Sequence, residues 1–214
     1  MKKIFVLIVS ALMLSLGVLA VNVEDEAYYA KFKDQKITLN VYNWGEYISD
    51  GSEDSLDIIS EFEELTGINV NYTTYETNED LYAKLSSSNS KYDIIIPSDY
   101  MIARMIDEDM LEKLDYENIP NIKFIDEKYH KTDFDPEGAY SVPYTWGTVG
   151  VIYNTKYVDK ADLGSWDLLW NEKYAGKILM FSNSRDAFGV ALKKLGYSLN
   201  TTDENEIKEA AEEL

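Results

Sequence analysis

A chain of 214 residues with no cysteine and a formal net charge of −19 excludes a disulfide framework, a thiolate metal site and a thiol nucleophile. The acidic balance opposes nucleic acid, whose phosphates need a basic patch, and suits a cationic ligand or simply an acidic soluble surface. A hydrophobic content of 45% suffices for one large domain or two small lobes.

Met1-Lys2-Lys3 is a short positive head, and Ile4 to Val23 carries no charge. With Val18-Leu19-Ala20 before the cut, residues 1–20 read as a secretory signal peptide, the rival being an uncleaved anchor of about 20 apolar residues. In either case the folded part lies outside the cytoplasm. Residues 21–36 are acidic and polar and read as a tether.

Ile37-Thr38-Leu39-Asn40-Val41 alternates and is β-branched, so it reads as a strand. Tyr42-Asn43-Trp44-Gly45-Glu46-Tyr47 then sets two aromatics and a carboxylate just past that strand. In open α/β sheets ligands bind at such strand ends, and rings with a carboxylate suit an organic cation. The competing reading has Trp44 and Tyr47 capping the core and Glu46 in solvent.

Leu56, Ile59, Phe62 and Leu65 recur at helical spacing, which predicts a helix over residues 53–66 capped by Ser52 or Asp54 and stopped by Gly67. Ile68 to Tyr72 alternates as a second strand. Leu81, Tyr82 and Leu85 predict a helix over residues 78–86 with Thr77 as its cap, and a Ser-rich loop runs from Ser86 to Ser90. Tyr92 to Ile96 is almost wholly apolar, as expected for a strand buried on both faces of a parallel sheet. A short helix follows from Met101 to Asp107. This alternation of strand and helix is the signature of an α/β fold with crossover connections.

Residues 115–136 lose the pattern. Tyr140–Tyr144 reads as extended, strands are predicted at Val151–Tyr153 and Ile178–Phe181, a capped helical turn at Ser165–Trp170, a helix from Arg185 to Leu195 with Phe188, Ala191, Leu192 and Leu195 on one face and Gly196 as its stop, and a last helix beginning at Thr202-Asp203. That helix is still in its pattern at Leu214, so the chain reads as truncated.

No phosphate-binding loop, nucleophile elbow, zinc-protease motif or calcium loop occurs. The single histidine, His130, lies in a polar stretch and reads as a surface residue. A hydrolase using paired carboxylates stays open, but among 39 acidic residues some pair always exists. Four strand ends carry the remaining chemistry: the Trp44 segment, Ser98-Asp99-Tyr100, Tyr144-Thr145-Trp146 and Asn183-Ser184-Arg185-Asp186. Singly, each has a structural reading: Ser98 or Asp99 as a helix cap, Asp186 as a first-turn acid, Trp146 as core. Jointly they describe a cleft for a small polar cation, although Arg185 keeps an anion in play.

Tyr42-Asn43-Trp44-Gly45-Glu46-Tyr47, residues 61–68, Tyr92 to Tyr100, Ser141 to Gly147 and Arg185-Asp186-Ala187-Phe188 resemble, in order, the spermidine/putrescine-binding protein family. The resemblance runs from about Ile37 to Leu214 and implies the front part of a periplasmic-binding-protein-like two-lobe α/β fold, truncated within the second lobe. The implied division is a first lobe over residues 37–144 and the beginning of a second over 145–214. It implies polyamine binding without catalysis or cofactor, by a monomer that delivers ligand to an ABC-type membrane permease from the periplasmic side. Trp44 and Tyr47 would wall the methylene chain, Glu46 would take an ammonium, and Ser98 and Tyr100 would hold the ligand from the same lobe. Asp186 matches a family carboxylate. Asn183 stands where the family has another, and Gly45 where some relatives carry a hydroxyl. A solute-binding protein for a different small ligand is the nearest alternative.

Overall fold

The computed structural model describes residue 23, residues 25–87 and residues 91–214. The expected signal peptide lies outside these residues. Among those described, no helix is long and apolar enough to cross a membrane.

Three strands form one sheet in the order β2-β1-β3, with β1 at Thr38–Trp44, β2 at Asn69–Tyr75 and β3 at Ile94–Ile95. Asp93 N–H donates to the Asn40 carbonyl and Ile96 N–H to the Tyr42 carbonyl, so β3 advances along β1 in the same direction. The strand β1 extends three residues beyond the expected Val41, and Trp44 is its last residue rather than the start of the following loop. The strand β3 is only two residues long and Ile94 is 47% exposed, which corrects the expectation of a strand covered on both faces. Among the described residues its place at the sheet edge leaves it one neighbour, β1.

The described residues separate into two compact units that cut across β1: residues 25–41 with 45–73 and 92–94, and residues 42–44 with 74–87, 91 and 95–214.

In the first unit, helix α1 (Glu26–Ala30) lies within the expected tether, and its cap is Asp25, whose carboxylate accepts the Tyr28 N–H. Gly67 explains how this segment is held. A Cβ at Gly67, which sits at a φ of +71°, would stand 2.5 Å from Lys33 Cα, so only glycine lets the two backbones approach. Gly67 also ends helix α2 (Ile58–Thr66) in the left-handed conformation. The expected start of α2 was five residues early. Glu53 and Asp54 take positive φ values and cannot join the helix; Asp57 caps it instead, accepting from Ser60 N–H at 3.0 Å and Ser60 hydroxyl at 2.6 Å.

In the second unit, helix α3 (Asn78–Ser87) begins as expected at Thr77, whose Oγ accepts the Asp80 N–H while its hydroxyl donates to the Asp80 carboxylate. Helix α4 (Asp99–Asp107) buries Met101 and Met105. Helices α5 (Ser184–Leu195) and α6 (Glu204–Glu213) pack together around Ala191, Leu192 and Ala210, with Trp170, Phe188, Leu195 and Tyr197 alongside. Their small residues let the two helices close on each other; Gly196 ends α5 as expected, and α6 starts at Glu204 rather than at Thr202, with Asp203 as its cap. Ser165 likewise caps the turn at Trp166–Trp170.

The expected strands at residues 151–153 and 178–181 do not form. A strand is stabilised by its ladder of neighbours, and these extended runs have no ladder among the described residues. Their apolar side chains stay in solvent: Ile152 is 99% and Leu179 96% exposed. Trp146, weighed above as core, is also exposed, with the Tyr129 ring centroid 6.1 Å away. His130, expected at the surface, is half-buried, and its Nε2 is enclosed without a hydrogen-bond partner.

Between these segments the chain is anchored by Asp135, which is buried and accepts Ala139 N–H, Tyr140 N–H, Ser141 N–H and the Ser141 hydroxyl at 2.9–3.0 Å. Burial pushes its carboxyl up, but these four donors outweigh it and hold it below the usual carboxylate value.

Candidate functional site

The second unit holds Trp44, Ser98, Tyr100, Asn183 and Asp186 of the predicted site, and two of them, Ser98 and Tyr100, meet at one buried amide. Asn78, the first residue of α3, is fully buried. Its Oδ1 accepts the Ser98 N–H at 3.0 Å, and its Nδ2 donates to the Ser98 hydroxyl at 3.0 Å and to the Tyr100 hydroxyl at 2.9 Å. Ser98 therefore occupies the cap position of α4 without capping it by its side chain. The sequence reading missed Asn78 as a site residue. Its only local signal was a helix start, and its partners lie 20 and 22 residues away.

Because Asn78 donates to the Tyr100 hydroxyl, that hydroxyl sends its own proton to Glu79 Oε1, 3.1 Å away. Burial first, then the Glu79 charge, push the Tyr100 phenol up to about 12, against the opposing Asn78 hydrogen bond and Arg185 charge. The ring of Tyr100 is a fixed neutral surface with a carboxylate at its edge. The guanidinium of Arg185 lies 4.7 Å from its centroid.

Asp186 is half-buried in the first turn of α5, and burial, then the Asp99 charge, raise its pKa. A carboxylate held in this way gains from any cation that comes to it. Asn183 gives its Oδ1 to the helix: it caps α5 by accepting the Arg185 N–H at 3.0 Å. An amide in that role brings no charge, and its acceptor is already engaged.

Trp44 ends β1 with its ring 4.6 Å from that of Tyr75, and Tyr42 meets the same tyrosine at 5.0 Å. The Tyr75 hydroxyl donates to the Ile96 carbonyl at 2.6 Å, which ties the end of β2 to the residue after β3. Aromatic surface is thus fixed at the strand end by packing and one hydrogen bond. In the first unit, Gly45, Glu46 and Tyr47 form the exposed turn after β1. A Cβ at Gly45 would meet no atom within 4 Å, so space does not demand glycine there.

Rings, hydroxyls and carboxylates with one guanidinium make a binding chemistry. Among the described residues no group of three or more His, Cys, Asp or Glu side chains is arranged to hold a metal ion.

Residues 57–214 match the family described as bacterial extracellular solute-binding protein. The spermidine/putrescine-binding periplasmic protein of Escherichia coli K12 is 38% identical over 203 residues, 94% of this chain and 55% of that protein. The putrescine-binding periplasmic protein SpuD of Pseudomonas aeruginosa is 35% identical over 197 residues, 86% of this chain and 52% of that protein. Among solved structures, the TpPotD lipoprotein of Treponema pallidum superposes with a TM-score of 0.71 at 36% identity, over 81% of this chain and 53% of that one. The spermidine/putrescine ABC transporter substrate-binding protein PotD of Streptococcus pneumoniae does so with a TM-score of 0.63 at 41% identity, over 83% and 53%. The chain spans about half the length of these relatives, and its α/β fold is of the periplasmic binding protein type. By the match over residues 57–214, the chain belongs to the bacterial extracellular solute-binding proteins.

Proposed function

We propose that this chain carries polyamine-binding residues of an extracytoplasmic solute-binding protein that delivers spermidine or putrescine to an ABC-type permease. It is not an enzyme in this reading: it binds and hands on, as a monomer, without cofactor, on the periplasmic side of the cytoplasmic membrane. Residues 37–144 would form one lobe, and residues 145–214 would begin the other.

The observation that carries the reading is the Asn78 constellation, which holds the Ser98 hydroxyl and the Tyr100 phenol, the latter donating in turn to Glu79. A polyamine has ammonium charges separated by apolar methylenes. Each ammonium needs a carboxylate and hydrogen-bond acceptors, because an unpaired buried charge is prohibitive. The methylenes need apolar surface, which ring faces supply while adding about 0.5–2 kcal/mol for each cation contact. Trp44, Tyr47 and Tyr100 are the proposed walls, Glu46 and Asp186 the ammonium partners, and Ser98 a hydrogen-bonding group. Asn183, as the cap of α5, would act on the ligand only through its remaining amide N–H groups.

Calorimetric titration of the chain with putrescine, spermidine, glutamate and maltose tests this. Saturable heat with the amines alone is expected. Binding of glutamate or maltose in preference to the amines would overturn it in favour of another solute.

A further inference from the structure

Arg185 stands at the second position of α5, where the positive end of the helix dipole disfavours a cation. It is nevertheless exposed there with its guanidinium against the ring of Tyr100, 4.7 Å from the centroid. The next residue is Asp186, half-buried and within the influence of Asp99, and the Tyr100 hydroxyl donates to Glu79. A basic side chain is thus placed on the ring whose hydroxyl donates to Glu79, one residue before Asp186 in the chain.

Resting on the polyamine reading above, we propose that Arg185 is a resident cation that competes with an incoming amine for the Tyr100 ring and sets the threshold for amine binding. An ammonium and a guanidinium both draw on the same ring quadrupole, and two like charges a few ångströms apart repel. Arg185 sits at the end of a long, solvent-exposed stem, so it can leave the ring for water without disturbing α5. The amine reaches the ring face that Arg185 occupies only by displacing it. A neutral ligand meets no such repulsion.

Arg185→Gln tests this, since it keeps side-chain length and removes the charge. Calorimetric titration with putrescine and spermidine should show binding tighter than in the unaltered chain by about two- to fivefold, the weight of an exposed cation–π contact. Arg185→Lys, which keeps the charge but loses the planar face, should tighten binding less. Equal or weaker binding by Arg185→Gln overturns the role of Arg185, as does a larger gain from Arg185→Lys. The two readings fail differently. If the unaltered chain binds neither amine, the polyamine reading falls and this role with it. If it binds them and Arg185→Gln matches it, only the role of Arg185 falls.

Discussion

Asn78 and Tyr100, 22 residues apart in sequence, share a 2.9 Å hydrogen bond in which the buried amide donates to the phenol oxygen. The same amide holds both the N–H and the hydroxyl of Ser98. Replacing Asn78 with Ala should leave buried groups on Ser98 and Tyr100 unmatched, at a cost of about 1–3 kcal/mol in urea denaturation. Amine binding should weaken as well, because the Tyr100 ring loses one of the groups that orient it. Unchanged stability and affinity would show that the constellation is not cooperative.

Asp186→Asn should separate stability from binding. The raised pKa means the folded chain holds the Asp186 proton more tightly than the unfolded chain does. The group therefore opposes folding above the unfolded value, and the penalty is relieved as pH falls through the raised folded pKa. The variant should melt higher than the parent at pH 7, converge with it towards pH 4, and bind putrescine more weakly. A lower melting temperature at pH 7 would contradict the burial argument.

Asp135 works in the opposite direction. Its depressed folded pKa makes its contribution complete above the ordinary aspartate value and lost as pH falls through the folded pKa. Asp135→Ala should cost about 1–3 kcal/mol at pH 7 by freeing the N–H groups of residues 139–141, and the difference from the parent should shrink under strong acid. Denaturant melts at pH 7 and pH 3 provide the measurement.

Glu46 and Glu61 offer an internal comparison. Glu46 is exposed in the turn after β1, whereas Glu61 lies in the first turn of α2. Glu46→Gln should weaken polyamine binding by at most about fivefold, the scale of an exposed ion pair, and Glu61→Gln should leave it unchanged. Equal affinities for the two variants would remove Glu46 from the site.

The parts of the fold that were legible in the sequence are those whose signals are local. Thr77 and Ser165 cap the elements they precede, and Gly67 and Gly196 end helices in the conformation that glycine favours. Phe188, Ala191, Leu192 and Leu195 lie on one face of α5 and pack as that spacing predicts. What stayed hidden depends on distant partners. Asn78 looked like an ordinary helix start because its role is set by Ser98 and Tyr100. The start of α2 falls later than the Ser52 or Asp54 cap expected, because Glu53 and Asp54 take positive φ values that end any α-helix there and leave Asp57 as the cap. The runs at 151–153 and 178–181 have strand composition, but composition supplies no neighbouring strand.

The exposed Ile152 and Leu179 also bear on how the chain behaves in solution. Apolar side chains left in water attract one another between molecules, and a net charge of −19 is the force that keeps those molecules apart. That repulsion reaches about 10 Å at 0.1 M salt and about 3 Å at 1 M. The chain is therefore a colloid whose dispersion is electrostatic: dilute buffer should keep it monodisperse, while concentrated sodium chloride should let the apolar segments meet. Light scattering along a salt series would register the change without any loss of helical signal from α5 and α6.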